Sequence, residues 1–62
     1  MNGYIALAQV SFKDDVQAYG IEKGILNFEL LAKALINHNP TCDYVKMFDN
    51  RLDLQGVWYN ES

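Results

Sequence analysis

Hydrophobic and polar positions alternate with a period of two over residues 4–12. Tyr4, Ala6, Ala8, Val10 and Phe12 fall on one side, with Gln9 and Ser11 on the other. This spacing predicts a β-strand. Ile5 and Leu7 keep the second side apolar at its start, as in a central strand or one with a second covered surface. The period changes over residues 28–38. Phe28, Leu31, Ala32, Leu35 and Ile36 share one face at helical spacing, widened by Leu30 and Ala34. Asn27 is a good N-cap for this helix and Glu29 complements the positive end of its dipole. Leu26 and Leu31 stand at hydrophobic-staple positions, one before the cap and four after it. The helix must stop before Pro40, because proline disfavours helical geometry in the residue ahead of it.

Residues 12–24 admit two readings. Ser11-Phe-Lys-Asp14 resembles a capping box, so a short helix carrying Phe12, Val16 and Tyr19 could end at Gly20. Alternatively, Asp14-Asp15 turns the chain and Val16–Ile21 returns as a strand. The balance leans slightly to the strand or an irregular crossing. The C-terminal third reads as a β-hairpin with Asp49-Asn50 as a two-residue turn, since both residue types tolerate the positive φ such turns require. That register sets Met47 against Leu52, Val45 against Leu54 and Thr41 against Trp58 on an apolar side. It sets Lys46 against Asp53, Tyr44 against Gln55 and Cys42 against Val57 on the other, and Gly56 against Asp43. Glycine at such a place often marks a bulge or close approach. The expected fold class is α+β, one domain over residues 1–62. An antiparallel sheet of three to four strands carries one helix on one face and ends in a hairpin. Phe28, Leu31, Leu35 and Ile36 would meet Val45, Met47, Leu52, Leu54, Trp58 and one side of the first strand.

Size sharpens this picture. A 62-residue chain buries only roughly 60% of the surface its unfolded form exposes. Folds this small usually need a disulfide, a metal or a partner subunit. Cys42 is the single cysteine, so no disulfide forms within the chain. Half the residues are hydrophobic and eight are aromatic. The expected outcome is apolar surface shared with a second chain, that is, a homodimer. The N-terminal apolar run carries no preceding positive charge and is soon interrupted, unlike a signal peptide. No stretch reaches the ~18 apolar residues of a membrane span. With one cysteine, the reading is a cytoplasmic, soluble protein with no membrane partner. Net charge is −3, and Lys13, Lys23, Lys33, Lys46 and Arg51 do not cluster. Nucleic-acid binding needs several phosphates neutralised together, so the charge argues against it. Isolated acidic residues likewise make a solvated face rather than a DNA mimic.

Several fragments resemble sites. His38 and Cys42 are four apart and could ligate zinc, but a structural site needs four ligands and the chain has one of each. Only a dimer could supply two pairs. A Cys/His nucleophile would need a lowered thiol pKa and a substrate pocket, which nothing here indicates. Asp14 with Asp15, or Asp49 with Asp53, read as turn residues and solvated charges rather than acid–base pairs, which need environments that split their pKa values. The glycines lack phosphate-loop spacing. No catalytic, cofactor-binding or metal residue is therefore assigned, and no cofactor is expected.

One surface stands out. The side of the hairpin bearing Lys46 also carries Tyr44, Phe48, Val57 and Tyr59, and with Ile5 and Leu7 it would form an aromatic patch opposite the helix. Exposed patches of this kind mark interaction sites, and Tyr and Phe are enriched at interface cores. The leading expectation is a non-catalytic protein-interaction module, homodimeric through the outer sheet face or by edge-strand pairing. It would modulate or inhibit another protein, a phage-type inhibitor being one form. The alternatives are a dimeric DNA-binding transcriptional regulator, and a metal- or small-molecule-binding domain completed at a dimer interface.

Overall fold

A computed structural model describes residues 6–22 and 27–61. The elements run β1 (Ala6–Ser11), β2 (Val16–Ile21), α1 (Phe28–His38), β3 (Tyr44–Asp49) and β4 (Leu54–Tyr59). The four strands form one antiparallel sheet in the order β2-β1-β3-β4. The fold is therefore α+β, with one helix among the described residues packed on the sheet. Tyr4, Ile5 and Leu26, to which strand and staple positions are assigned above, lie outside the described residues.

Period-two patterning resolves β1 as expected. Ala6, Ala8 and Val10 are buried on the helix-facing side, and β1 is central, between β2 and β3. The open stretch resolves as a strand. Phe12 N–H donates to Asp15 O at 2.7 Å, closing a tight turn through Lys13-Asp14. β2 then returns with Ser11 facing Val16 and Ala6 facing Ile21.

The helix follows its sequence signals at both ends and on its main face, but Leu30 and Ala34, expected to widen that face, are exposed. Asn27 is extended, and its side-chain oxygen accepts the Leu30 N–H at 3.1 Å. At the other end Asn39 closes the last turn. Its backbone N–H reaches Leu35 O and Ile36 O, and its side-chain amide donates to Leu35 O at 2.9 Å. Ala32 is fully buried, and Phe28, Leu31, Leu35 and Ile36 pack around the same core. Small Ala8 on β1 lies beside large Met47 on β3, and Val10 beside Val45. It packs on β3, β4 and β1, and no backbone contact joins it to β2. Val10, Val45 and Met47 are the largest fully buried side chains. Such burial is worth about 1.5–3 kcal/mol per side chain.

The C-terminal hairpin exists, but its register differs from the sequence reading. Val45 faces Trp58, Tyr44 faces Tyr59, Lys46 faces Val57 and Met47 faces Gly56. Phe48 then faces Leu54, leaving Gln55 as an extra residue in a bulge. The Asp49 side chain is the cause. One of its carboxylate oxygens accepts the N–H of both Arg51 and Asp53, at 2.8 and 3.0 Å. Asp49 N–H in turn donates to Asp53 O, and Leu52 N–H to Asp49 O, each at 3.0 Å. The loop is thus Asn50-Arg51-Leu52, a turn ending in a left-handed residue, Leu52, at φ 67°. Below the bulge the shift is an even number of residues, so Trp58 still points to the helix while Val57 and Tyr59 point away. Above it the parity reverses. Leu52 and Leu54, expected in the core, are 66% and 54% exposed. Lys46 does not meet Asp53. Cys42, expected on the outer side opposite Val57, precedes β3 and is buried in the core. Gly56 lies against Met47 rather than Asp43.

Asn60 ties the end of β4 back to the helix–strand connection. Its side-chain amide donates to Pro40 O and Cys42 O at 2.9 and 2.8 Å, and its backbone N–H to Asp43 O at 2.9 Å.

Candidate interaction surface

Alternation along β3 fixes the two sides of the sheet. Val45 and Met47 are buried under α1, so Tyr44, Lys46 and Phe48 project from the helix-free side. Register extends that side across all four strands in three rows. The first runs Val16–Ser11–Tyr44–Tyr59, the second Ala18–Gln9–Lys46–Val57, and the third Gly20–Leu7–Phe48–Leu54. Tyr44, Phe48, Val57 and Tyr59 are thereby brought onto one surface, shared between β3 and β4. Leu7 joins them beside Phe48. Ile5, the other residue assigned to this patch, lies outside the described residues. Leu54 belongs to it as well, which sequence reasoning missed because it took the hairpin as unbulged.

Local contacts order this surface. The Tyr44 and Tyr59 rings lie 5.6 Å apart between centroids, tilted by 53°. Such tilted pairs contribute about 0.5–1.5 kcal/mol beyond burial. Lys46 Nζ stands 5.7 Å from the Tyr44 ring centroid, inside cation–π range. The lysine stem lies between two aromatic rows and its charge sits over a ring, so it interrupts the patch less than a free charge would. Tyr59 remains 68% exposed, while Tyr44, Phe48, Val57 and Leu7 are partly buried.

The other candidate groups are not brought into a reactive arrangement. Cys42 sits in the core, where burial and the neighbouring Asp43 carboxylate push its thiol pKa up. A raised pKa disfavours the thiolate needed for nucleophilic attack or metal ligation. His38 occupies the last turn of α1 and is exposed. Among the described residues no group of three or more His, Cys, Asp or Glu side chains could hold a metal ion. Asp14 and Asp15 are exposed at the β1–β2 turn. The Asp49 carboxylate is committed to the loop, where its second oxygen also accepts from Gln55 Nε2 at 3.1 Å. An open groove of about 530 Å³ runs between α1 and β4 past Lys33, Ile36, Asn37 and Trp58. Lys33, the cation there, is paired with Glu29 at 3.0 Å, and no described helix is long and apolar enough to cross a membrane.

No protein-family model matches this chain, and neither does any curated protein or solved structure.

Proposed function

We propose that this chain is a non-catalytic protein-interaction module that works as a homodimer and holds another protein on the helix-free face of its sheet. The observation that supports this reading is the row-by-row juxtaposition of Tyr44, Phe48, Val57, Tyr59, Leu7 and Leu54. Among the described residues one helix packs on one face of the four-stranded sheet and no element packs on the other. Here that face is aromatic and aliphatic at its β3–β4 half, where a surface meant only for water would be polar. The strands beneath it are held by a fully buried core, so the patch is rigid and little ordering entropy opposes binding. A cytoplasmic setting is part of the proposal, supported by a lone, buried, unpaired cysteine. Modulation of the bound protein would follow from covering its surface, without chemistry.

The test is comparative capture. Tagged wild-type chain and a Tyr44→Asp/Tyr59→Asp variant serve as baits in extract of the native cell. Neither residue contributes to the helix-side core, so the variant should keep its circular dichroism spectrum. A protein retained by the wild type and lost by the folded variant identifies the partner. Equal retention by both baits sinks the reading.

A further inference from the structure

We infer that the β2 edge is the homodimer interface, two copies pairing β2 to β2 about a two-fold axis at Ala18. This rests on the homodimer assumed above and assigns it a strand and a register. Among the described residues β2 pairs only with β1, and no described strand lies along its other edge. The turn fixes which groups face outward. Phe12 and Asp15 form a hydrogen-bonded pair, so Gln17, Tyr19 and Ile21 direct their N–H and C=O groups toward β1. Val16, Ala18 and Gly20 direct theirs away from the sheet.

Natural edge strands carry devices against pairing: lysine, proline, bulges, or a covering helix. β2 has none of them. Its six residues are uncharged and free of proline, its register with β1 is unbroken, and α1 does not reach it. β4, the opposite edge, is interrupted by the bulge at Gln55. With β2 as the unbulged edge among the described strands, edge pairing joins it to its own copy, which gives a closed dimer rather than an open fibre.

Ala18 at the axis sets Val16 of one copy against Gly20 of the other. All three outward-facing residues then find hydrogen-bonding partners, two bonds per pair. On the helix side Gln17 would meet Tyr19 of the second copy, and on the outer side Ala18 meets Ala18. None of these pairs is bulky enough to hold the strands apart. Beyond the paired span Asp14 approaches Glu22 of the second copy, a like-charge contact in solvent that salt screens.

The test uses the full chain and Ala18→Pro. The register directs the Ala18 N–H away from β1, and proline is tolerated on edge strands at such positions. The expected result in sedimentation equilibrium is a wild-type mass twice that of one chain and an Ala18→Pro mass halved, with matching circular dichroism. Tyr44→Asp/Tyr59→Asp should stay dimeric, which separates this interface from the binding face. A monomeric wild type at millimolar concentration overturns the inference. So does a dimeric Ala18→Pro beside a monomeric Tyr44→Asp/Tyr59→Asp. Should Ala18→Pro fail to fold, amide hydrogen exchange on the wild type decides. The Val16, Ala18 and Gly20 amides should become protected as concentration rises through the dimer transition, and rapid exchange in a dimeric sample refutes β2 pairing.

Discussion

Gly56→Ala is the smallest change that should disturb the helix-side core. Gly56 lies on the inner side of β4, two residues before Trp58, whose indole folds back across it. A methyl group on Gly56 would meet Trp58 Cη2 at 2.5 Å, Cζ3 at 2.8 Å and Cζ2 at 3.3 Å. Carbon atoms prefer about 3.5–4.0 Å, so the ring must retreat by roughly 1 Å. Trp58 is packed against the core beside Val45, and retreat strips some of that contact. Overpacking of this kind costs about 1–3 kcal/mol. Replacing glycine within a strand returns about 0.5–1 kcal/mol through the unfolded chain. The net expectation is a loss of about 1–2 kcal/mol, or roughly 5–15 °C in melting temperature for a domain of this size. Thermal unfolding by circular dichroism measures the loss. Trp58 is the single tryptophan, so its emission reports the ring directly and should shift to the red. A double-mutant cycle isolates the cause. In a Trp58→Leu background the same Gly56→Ala change should be neutral or mildly stabilising, giving a coupling of about 1 kcal/mol or more. An unchanged melting temperature with unchanged emission would refute the steric argument. An equal loss in both backgrounds would place the cost in the strand backbone instead.

Two further changes test the joints of the fold. Leu52→Gly removes an exposed side chain from a left-handed residue at φ 67°; relief of about 1–2 kcal/mol of strain outweighs glycine's extra unfolded-state freedom. Chemical denaturation should then show an unchanged slope and a gain of up to about 1 kcal/mol, whereas a destabilised variant would mean the leucine side chain matters more than its backbone. Asn60→Ala removes the amide that joins β4 to Pro40 O and Cys42 O; one exposed and one partly buried hydrogen bond imply a loss of about 1–2 kcal/mol. Asn60→Asp should cost at least as much, because it sets a carboxylate against two carbonyl oxygens, and a neutral Asp variant would refute the clip.

What the sequence disclosed depended on how local the controlling interaction is. α1 was legible to the residue because Asn27 and Pro40 mark its ends within a few positions. β1 was legible from alternation alone. The hairpin was legible as a hairpin, but its register was not. Asp49-Asn50 looks like a two-residue turn, while the Asp49 carboxylate instead gathers N–H groups as far on as Asp53. Left-handed Leu52 gives no signal either, since glycine or asparagine is the usual occupant of that position. The grouping of the aromatic patch survived this error for a geometric reason. Strand faces repeat every two residues, and the slip below the bulge was even, so Tyr44, Phe48, Val57 and Tyr59 kept their side. Leu54 changed sides because Gln55 adds one residue to the parity. Legibility thus failed where one side chain reorganised a loop: every cross-strand pair of the hairpin shifted, Leu54 changed sides, and Cys42, ahead of β3, entered the core.

Sheet twist decides what an edge-paired dimer could do with its two outer faces. A two-fold axis at Ala18 keeps the helix-free faces of both copies on the same side of an eight-stranded sheet. The β3 strands of the two copies would then be five strand steps apart, roughly 24 Å at about 4.8 Å per step. Distance alone would let one partner protein span both Tyr44–Tyr59 patches. Each step also rotates the strands by about 20–25°, however, so the two patches turn by roughly 100° or more relative to one another. A flat partner surface cannot follow that turn. Dimerisation through β2 would therefore present two separately directed binding faces, suited to two partner molecules or to one that wraps an edge. It would strengthen binding to a dimeric partner through effective concentration rather than through new contacts.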